Sequence, residues 1–298
     1  MSWYSEYKKT LKIASVEEYI DLFIYRPIAF LLIKSVYRTR ITPDHLTITA
    51  MLAGITSGVM FSFGTRPTCI AGGVLYFLFI VLDCSDGQLA RLKGNGSPVG
   101  RILDGIADYT AATAVFIGIA FGYSGKAGEP PYMVLLLALS GVSMIIQEML
   151  VDYHRTHFID ILKSRRNTFT ELNLEFRQEY LRIKNVKNKW IEKNILYIYL
   201  VYSDLQRKLL PRRINTEQPA IPSELYIRKN RVLIRLWVLM GPSAVKTTLI
   251  ICSLLNRFDI YFWITIVALN IYSVIMLIIQ KTIDNSYASS AKTRYGLD

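Results

Sequence analysis

The chain has 298 residues, of which 52% are hydrophobic, and its mean hydropathy is +0.28. This composition excludes an ordinary soluble protein and a disordered one, and it predicts an integral membrane protein. The net charge of +12 does not indicate nucleic acid, because Lys and Arg gather beside apolar segments and no basic tract is interleaved with aromatic residues. The lipid bilayer is therefore an expected partner, and nucleic acid is not. The cysteines, Cys69, Cys84 and Cys252, lack ligand spacing and indicate neither a disulfide framework nor a zinc site.

Residues 1–44 predict short helices at the membrane interface. Residues 15–18, Ser-Val-Glu-Glu, have the form of a capping box, which starts an amphipathic helix. A second helix is predicted from Pro27, in its first turn, to Tyr37. It is too short and too charged to span the bilayer, so we expect it in the cytoplasmic interface. The polar N-terminus has no apolar signal core, and no cleavable signal is expected.

The rest of the chain contains apolar segments near the roughly 20 residues that a helix needs to cross the hydrocarbon. The predicted spans are residues 45–63, 70–89, 102–123, 132–150, 233–255 and 260–279. Lys and Arg collect before the first span, after the second, after the fourth and after the sixth, so both termini are expected in the cytoplasm. The predicted fold is an all-α bundle of transmembrane helices, with four spans in residues 45–152 and two in residues 233–298.

Residues 153–232 form a long, polar and basic insert between the fourth and fifth spans. Apolar residues recur in it at helical spacing, so we expect two or three amphipathic helices that end before Pro219 and Pro222. A membrane-lying lid, an acceptor-binding element, a dimer contact and a plain connector all fit this pattern. A homodimer therefore stays open at this point.

A lysine lies inside the fifth predicted span. Gly241 and Pro242 predict a kink in this helix, and Lys246 follows them within the membrane. An intramembrane lysine either binds an anionic group, such as part of an acceptor substrate, or neutralises a carboxylate partner. The sequence leaves both readings open.

Residues 83–108 place two pairs of carboxylates across a turn. Asp83 and Asp86 are spaced i, i+3, and Asp104 and Asp108 are spaced i, i+4, so each pair shares one face of a helix. Between them, residues 94–98 read Gly-Asn-Gly-Ser-Pro and predict a reversal of the chain. Clustered carboxylates repel one another and cannot all stay ionised at neutral pH without cations. Because charges at the end of a membrane span are costly, we interpret this stretch as a functional site that binds two hard divalent ions.

Such a site suits chemistry on a phosphoanhydride. Two cations can bridge a pyrophosphate, offset charge on the leaving phosphate and orient an attacking oxygen. Oxygen ligands favour magnesium, manganese or calcium over zinc. Asp108, furthest from the turn, is the candidate general base, and Arg91 suits phosphate geometry.

The fixed positions of this stretch resemble the signature of the CDP-alcohol phosphotransferase family. The signature is D-x-x-D-G-x-x-A-R, eight residues, then G-x-x-x-D-x-x-x-D, and this sequence matches it at Asp83, Asp86, Gly87, Ala90, Arg91, Gly100, Asp104 and Asp108. One departure lies before the first span, where the family often has Thr-Pro-Asn. This chain has Asp44 after Thr42 and Pro43, and it retains Thr47.

The resemblance implies a membrane enzyme with six helices that transfers a substituted phosphate from a CDP-linked donor to an alcohol acceptor and releases CMP. By this likeness Asp83, Asp86, Asp104 and Asp108 form the metal site for two Mg²⁺ or Mn²⁺ ions. The first three hold the metals, and Asp108, close to the metals, also acts as the base. Asp83, Gly87, Ala90, Arg91 and Gly100 are then the expected nucleotide-binding residues, and Lys246 is a candidate acceptor-binding residue.

The resemblance leaves two branches for the substrates. In one, CDP-diacylglycerol is the donor and a small alcohol such as glycerol phosphate, inositol phosphate or serine is the acceptor. In the other, CDP-choline or CDP-ethanolamine reacts with a lipid alcohol. Leu103 to Asp108 favours the first branch, which we take as the prediction, whereas Ser97 to Gly100 is closer to the second.

A different class of protein is a membrane transporter whose acidic residues bind a translocated cation. A transporter predicts carboxylates near the bilayer midplane and inverted-repeat symmetry. The aspartates instead gather at one end of their spans beside Arg91, which favours the enzyme.

Overall fold

The computed structural model describes residues 3–11, 16–96, 98–123, 132–163, 168–186, 189–209 and 223–295. Every regular element in these ranges is helical, which confirms the all-α prediction. The α-helices are α1 (Trp3–Thr10), α2 (Arg26–Val36), α3 (Pro43–Ser62), α4 (Arg66–Lys93), α5 (Pro98–Tyr123), α6 (Tyr132–Leu162), α7 (Thr168–Ile183), α8 (Trp190–Leu209), α9 (Ser223–Trp237), α10 (Pro242–Leu255), α11 (Phe258–Phe262) and α12 (Leu269–Tyr295). Short π-helical segments lie at Asp21–Tyr25 and Trp263–Ala268.

Within the described ranges, six stretches of helix are long and apolar enough to cross a membrane, as predicted. They are Pro43–Ser62, Arg66–Lys93, Val99–Gly122, Tyr132–Leu162, Glu224–Leu255 and Phe258–Ser286. Large apolar side chains such as Leu135, Val142 and Ile278 are exposed on them, as expected for the lipid-facing residues of a multi-pass membrane protein. Helix α4 runs past the predicted end at residue 89 to Lys93. Asp86 lies inside this continuous helix.

One compact unit comprises Met1–Met149 and Leu239–Asn270. In it, small residues bring α3 and α5 into backbone contact. A Cβ on Gly58 would overlap the backbone of Ala114, and a Cβ on Gly118 would overlap the backbone of Gly58. Small residues permit this approach between membrane helices, where packing and not water exclusion drives association. The contact fixes the spacing of the two helices.

Helix α4 packs against both α3 and α10 in the same unit. The hydroxyl of Ser57 on α3 donates a 2.7 Å hydrogen bond to the carbonyl of Gly72 on α4. Gly73 lies against Ser253 of α10, where a Cβ would overlap the serine hydroxyl. These contacts place α4 next to the helices that complete the site described below.

The capping box predicted at residues 15–18 is wrong. Helical residues begin only at Tyr19, so Glu18 precedes the helix that it was expected to cap. Its carboxylate accepts hydrogen bonds from the backbone N–H groups of Ser243 and Ala244 in α10. Glu18 therefore caps the start of α10, which is distant in sequence, and not the local helix that was predicted. Ser15 lies outside the described residues.

The predicted interruption of the fifth span is confirmed. Helix α9 ends at Trp237, a 3-10 turn covers Val238–Met240, and α10 begins at Pro242 with Gly241 as its N-cap residue. Because proline has no backbone N–H, it suits the first position of the new helix.

The second compact unit comprises Leu150–Val238 and Ile271–Asp298. Its helices α7 and α8 contact one another, and a 2.7 Å ion pair joins Arg177 to Asp204. Two or three amphipathic helices were expected in the insert, and α7 and α8 are two such helices. Their predicted end ahead of Pro219 and Pro222 lies outside the described residues.

Candidate metal centre and active site

Three of the predicted aspartates meet at the end of the hairpin formed by α4 and α5. Asp83 and Asp86 on α4 and Asp104 on α5 each offer a carboxylate oxygen, and these oxygens lie within 4.8 Å of one another. Helix α4 ends at Lys93, and its C-cap residue Gly94 has a left-handed φ of 64°, a conformation that favours glycine. Helix α5 then starts at Pro98, so the predicted reversal brings the carboxylates together. Ser97 lies outside the described residues.

Asp86 is fixed by a residue on a third helix. Its Oδ2 accepts a 2.5 Å hydrogen bond from the hydroxyl of Thr47 on α3, and both residues are buried. A hydrogen bond of this kind orients a carboxylate for metal coordination. Thr47 lies in the first turns of the first predicted span, and the sequence pattern assigned it no role. Its position one turn after Pro43 was the available signal.

Asp108 lies one turn beyond Asp104 on α5 and is held differently. Its Oδ1 is 2.6 Å from the Nζ of Lys246 on α10. The lysine side chain is 13% exposed, against 40% for Asp108, and its Nζ lies 5.2 Å from the centre of the Phe79 ring. This ion pair agrees with the interpretation in which Lys246 neutralises a carboxylate, here that of Asp108.

The carboxylates of this site have different neighbours. Lys246 pairs with Asp108, whereas Asp83, Asp86 and Asp104 each present a carboxylate oxygen to their common cluster. Carboxylate oxygens are the preferred ligands of Mg²⁺ and Mn²⁺. The donor set therefore fits hard divalent cations.

Arg91 and Gly87 lie on the same side of α4. The Arg91 guanidinium donates a 2.5 Å hydrogen bond from Nε to the carbonyl of Thr10, at the end of α1. A Cβ on Gly87 would lie 3.5 Å from the Arg91 guanidinium, so the glycine leaves open the space beside this cation. Ala90 lies next to the turn at Gly96, in the same part of the hairpin. Gly100 lies in the first turn of α5.

Comparison with known proteins identifies this part of the chain. Residues 40–170 match the profile of the family described as CDP-alcohol phosphatidyltransferase. This segment is a CDP-alcohol phosphatidyltransferase domain. The resemblance drawn from the aspartate stretch is thereby confirmed.

The relatives of the transferase domain include bacterial proteins named phosphatidylinositol phosphate synthase. The protein from Mycobacteroides abscessus is 31% identical over 117 residues, which are 39% of this chain and 51% of the relative. The protein from Corynebacterium glutamicum is 35% identical over 98 residues, or 33% of this chain and 42% of the relative. That from Mycobacterium bovis is 28% identical over 114 residues, or 38% and 51%. The chain thus spans about half the length of the curated relatives that it matches.

The transferase domain contains only part of the site. It includes α3, α4 and α5, and with them Thr47, Arg91 and every predicted aspartate. It does not include Lys246 or the residues before residue 40. The pairing of Lys246 with Asp108 therefore comes from the fold of this chain and not from the matched segment.

Proposed function

We propose that this protein transfers a phosphatidyl group from CDP-diacylglycerol to the hydroxyl of an alcohol acceptor and releases CMP. The observation that carries the proposal is the convergence of Asp83, Asp86 and Asp104 from two helices of a CDP-alcohol phosphatidyltransferase domain. In the reaction, the acceptor oxygen forms a bond to the phosphorus that bears diacylglycerol. The bond from that phosphorus to the bridging oxygen breaks, and CMP leaves with it.

We assign the metal ligands to the clustered carboxylates. Asp83, Asp86 and Asp104 would hold two Mg²⁺ or Mn²⁺ ions, with Asp108 next to them, and Thr47 would orient Asp86. When bound, such ions offset the negative charge of the pyrophosphate and of the leaving CMP. Gly87, Ala90, Arg91 and Gly100 would form the nucleotide side of the pocket. Arg91 can donate hydrogen bonds to a phosphate, and the glycines let the ligand approach the backbone.

We assign the proton transfer to Asp108. The acceptor hydroxyl loses its proton as it attacks, and a carboxylate within hydrogen-bond reach can take it. Asp108 is 40% exposed, so a substrate can reach it. Lys246 has a separate role, since it offsets the charge of the Asp108 carboxylate before the substrate binds and can bind an anionic group on the acceptor.

The acceptor that we propose to test first is inositol phosphate, because the relatives are named phosphatidylinositol phosphate synthase. A phosphate on the acceptor would give Lys246 a second anionic partner beside Asp108. Glycerol phosphate carries the same group, whereas serine does not carry a phosphate.

A panel of donors and acceptors tests the proposal. The purified protein is given Mg²⁺ and each of CDP-diacylglycerol, CDP-choline and CDP-ethanolamine, combined with inositol phosphate, glycerol phosphate, serine or diacylglycerol. We expect CMP only with CDP-diacylglycerol, and most rapidly with a phosphorylated acceptor. Release of CMP from CDP-choline or CDP-ethanolamine with diacylglycerol would favour the other branch of the family. No CMP from any pair would reject a transferase.

We also propose that both chain termini and the aspartate cluster face the cytoplasm. The support is the gathering of Lys and Arg in the segments on that side of the spans. Single cysteines placed at residue 95, in the turn, and at residue 66, at the start of α4, should be labelled from opposite sides of sealed inverted vesicles. Labelling of both from the same side would reject this topology.

A further inference from the structure

Glu18 caps a helix that lies far from it in the sequence. The side chain belongs to the N-terminal segment, which we define as residues 16–26, and it is only 4% exposed. Its Oε2 accepts hydrogen bonds from the N–H groups of Ser243 at 3.0 Å and Ala244 at 3.2 Å. Both N–H groups belong to the first turn of α10, where intrahelical partners are scarce, and the N–H of Ala244 also donates to the carbonyl of Gly241 at 3.1 Å. A buried negative charge is also favoured at this end of a helix.

The start of α10 is built to receive this carboxylate. Gly241 is the N-cap residue and has no side chain to accept the N–H groups of the first turn. A Cβ at Gly241 would overlap the Glu18 carboxylate, because its Oε2 lies 2.7 Å from the Cβ position. The absence of a side chain at residue 241 therefore both requires an outside cap and makes room for it.

A second contact from the same segment is made at Thr247, the residue after Lys246. The hydroxyl groups of Tyr25 and Thr247 are 2.8 Å apart, and Tyr25 is 1% exposed. Lys246 thus lies between two positions, Ala244 and Thr247, that the N-terminal segment contacts. Its side chain leaves α10 from this held turn and meets Asp108.

The N-terminal segment is also attached to the helix that carries two of the metal ligands. Arg26 forms a 2.8 Å ion pair with Glu17, and both side chains are buried. The side chain of Gln88 on α4 donates a 3.2 Å hydrogen bond to the carbonyl of Arg26. Gln88 follows Asp86 by half a turn. The segment therefore joins the metal-binding helix α4 to the lysine-bearing helix α10.

We propose that Glu18 is a positioning residue for recognition of the acceptor, an inference that rests on the transferase function proposed above. By capping α10, Glu18 holds the ammonium of Lys246 next to Asp108 and within reach of an anionic group on the acceptor. Glu18 itself touches neither substrate nor reacting atoms. Without the cap, the N–H of Ser243 loses its carboxylate partner and that of Ala244 keeps only the carbonyl of Gly241, and the ammonium loses its fixed position.

Steady-state kinetics with the full chain test this role. With CDP-diacylglycerol and the phosphorylated acceptor that gives the fastest CMP release, we expect Glu18→Ala to raise the acceptor KM about 10- to 100-fold, because a small displacement of a binding group has this effect. The donor KM should stay unchanged. Glu18→Gln keeps an accepting oxygen and should give an intermediate KM. Glu6→Gln, which removes a carboxylate from the exposed pair with Lys34, is the control and should match the unsubstituted protein. An equal rise in both KM values would overturn the proposal.

A double-mutant cycle tests whether Glu18 acts through Lys246. Residues that act through one another give non-additive effects, whereas independent residues give additive ones. In a Lys246→Met background, Glu18→Ala should therefore cause no further rise in the acceptor KM. A full additional rise in the double variant would contradict a positioning role.

Hydrogen exchange gives a readout that does not depend on catalysis. The amide hydrogens of Ser243 and Ala244 should exchange faster in Glu18→Ala than in the unsubstituted protein, while those of α3 should not change. Unchanged exchange in the first turn of α10 would overturn the cap. If the unsubstituted protein released no CMP from any substrate pair, the proposed function would fail, and exchange would still decide whether Glu18 holds α10.

Discussion

The two sides of the site are built in different ways. On the metal side, Asp83, Asp86 and Asp104 come from one helical hairpin, and their spacing along the chain already brings them together. On the lysine side, Lys246 meets Asp108 across 138 residues of sequence, and Glu18 contacts α10 across 225 residues. The metal side is thus a local motif, whereas the lysine side depends on tertiary structure. Substitutions on the metal side should change metal affinity, whereas substitutions on the lysine side should change the acceptor KM.

Removal of metal should have the largest effect, because it acts on the side that we propose to bind the donor pyrophosphate. Treatment with a chelator should abolish CMP release, and added Mg²⁺ or Mn²⁺ should restore it, since the carboxylate oxygens of the cluster fit these ions. Release is measured by chromatography of CMP before and after the ions are added. Full activity in the chelator would show that the cluster does not act through metal.

Asp108→Asn should follow, because Asp108 belongs to both sides. The amide cannot take the proton of the acceptor, so kcat should fall about 1,000-fold, within the range for loss of a general base. Binding of Mn²⁺ should stay close to normal, as measured by electron paramagnetic resonance. Asp259→Asn, which changes an exposed aspartate paired with Arg257, is the control and should keep its kcat. Near-normal turnover of Asp108→Asn would remove this residue as the base.

Thr47→Val should weaken the metal side alone. The substitution keeps the shape of the side chain but removes the hydroxyl that donates to Asp86. Loss of such an orienting contact lowers metal affinity by about 10- to 100-fold. Titration with Mn²⁺ measures this change, and the acceptor KM at saturating metal should not move.

Thr49→Val provides the matched control for Thr47→Val. Thr49 is exposed on the same helix, and its hydroxyl donates to the backbone of His45. Its removal should leave Mn²⁺ affinity unchanged. Equal metal affinities for the two variants would show that the contact between Thr47 and Asp86 does not orient the ligand.

Gly241→Ala should have the smallest effect and should act on the lysine side alone. The added Cβ would displace the Glu18 carboxylate, so the acceptor KM should rise about tenfold, as for a binding group moved by a fraction of an ångström. Mn²⁺ affinity should match that of the unsubstituted protein. A change confined to metal affinity would contradict the separation of the two sides.

Much of the fold and the metal side follows from the sequence, because both depend on short-range periodicity. Apolar length predicts the spans, and the i, i+3 and i, i+4 spacing of the aspartates places them on facing helices. Gly94 and Pro98 mark the turn between these helices. Each of these patterns can be recognised from residues that are close together in the sequence.

Glu18 shows why the lysine side could not be predicted in the same way. Residues 15–18 carry the local signature of a capping box, and a signature of this kind cannot reveal that another helix lacks a cap. The break at Gly241 was predictable, but not the residue that fills it. For the same reason, the sequence left Lys246 between an anion-binding role and a carboxylate partner. Only the tertiary structure shows that Asp108 is the carboxylate partner of Lys246.

The backbone contact between Gly58 and Gly118 has a consequence for which ion the site selects. Helix α3 carries Thr47, which holds the carboxylate of Asp86, so a change in the spacing of α3 and α5 would alter how tightly that proposed ligand is fixed. Mg²⁺ requires ligands at about 2.1 Å in a nearly octahedral array, whereas Ca²⁺ tolerates about 2.3–2.6 Å and a looser arrangement. We therefore expect a larger residue at Gly58 or Gly118 to push the helices apart, loosen Asp86 and shift the preference from the smaller ion towards the larger one.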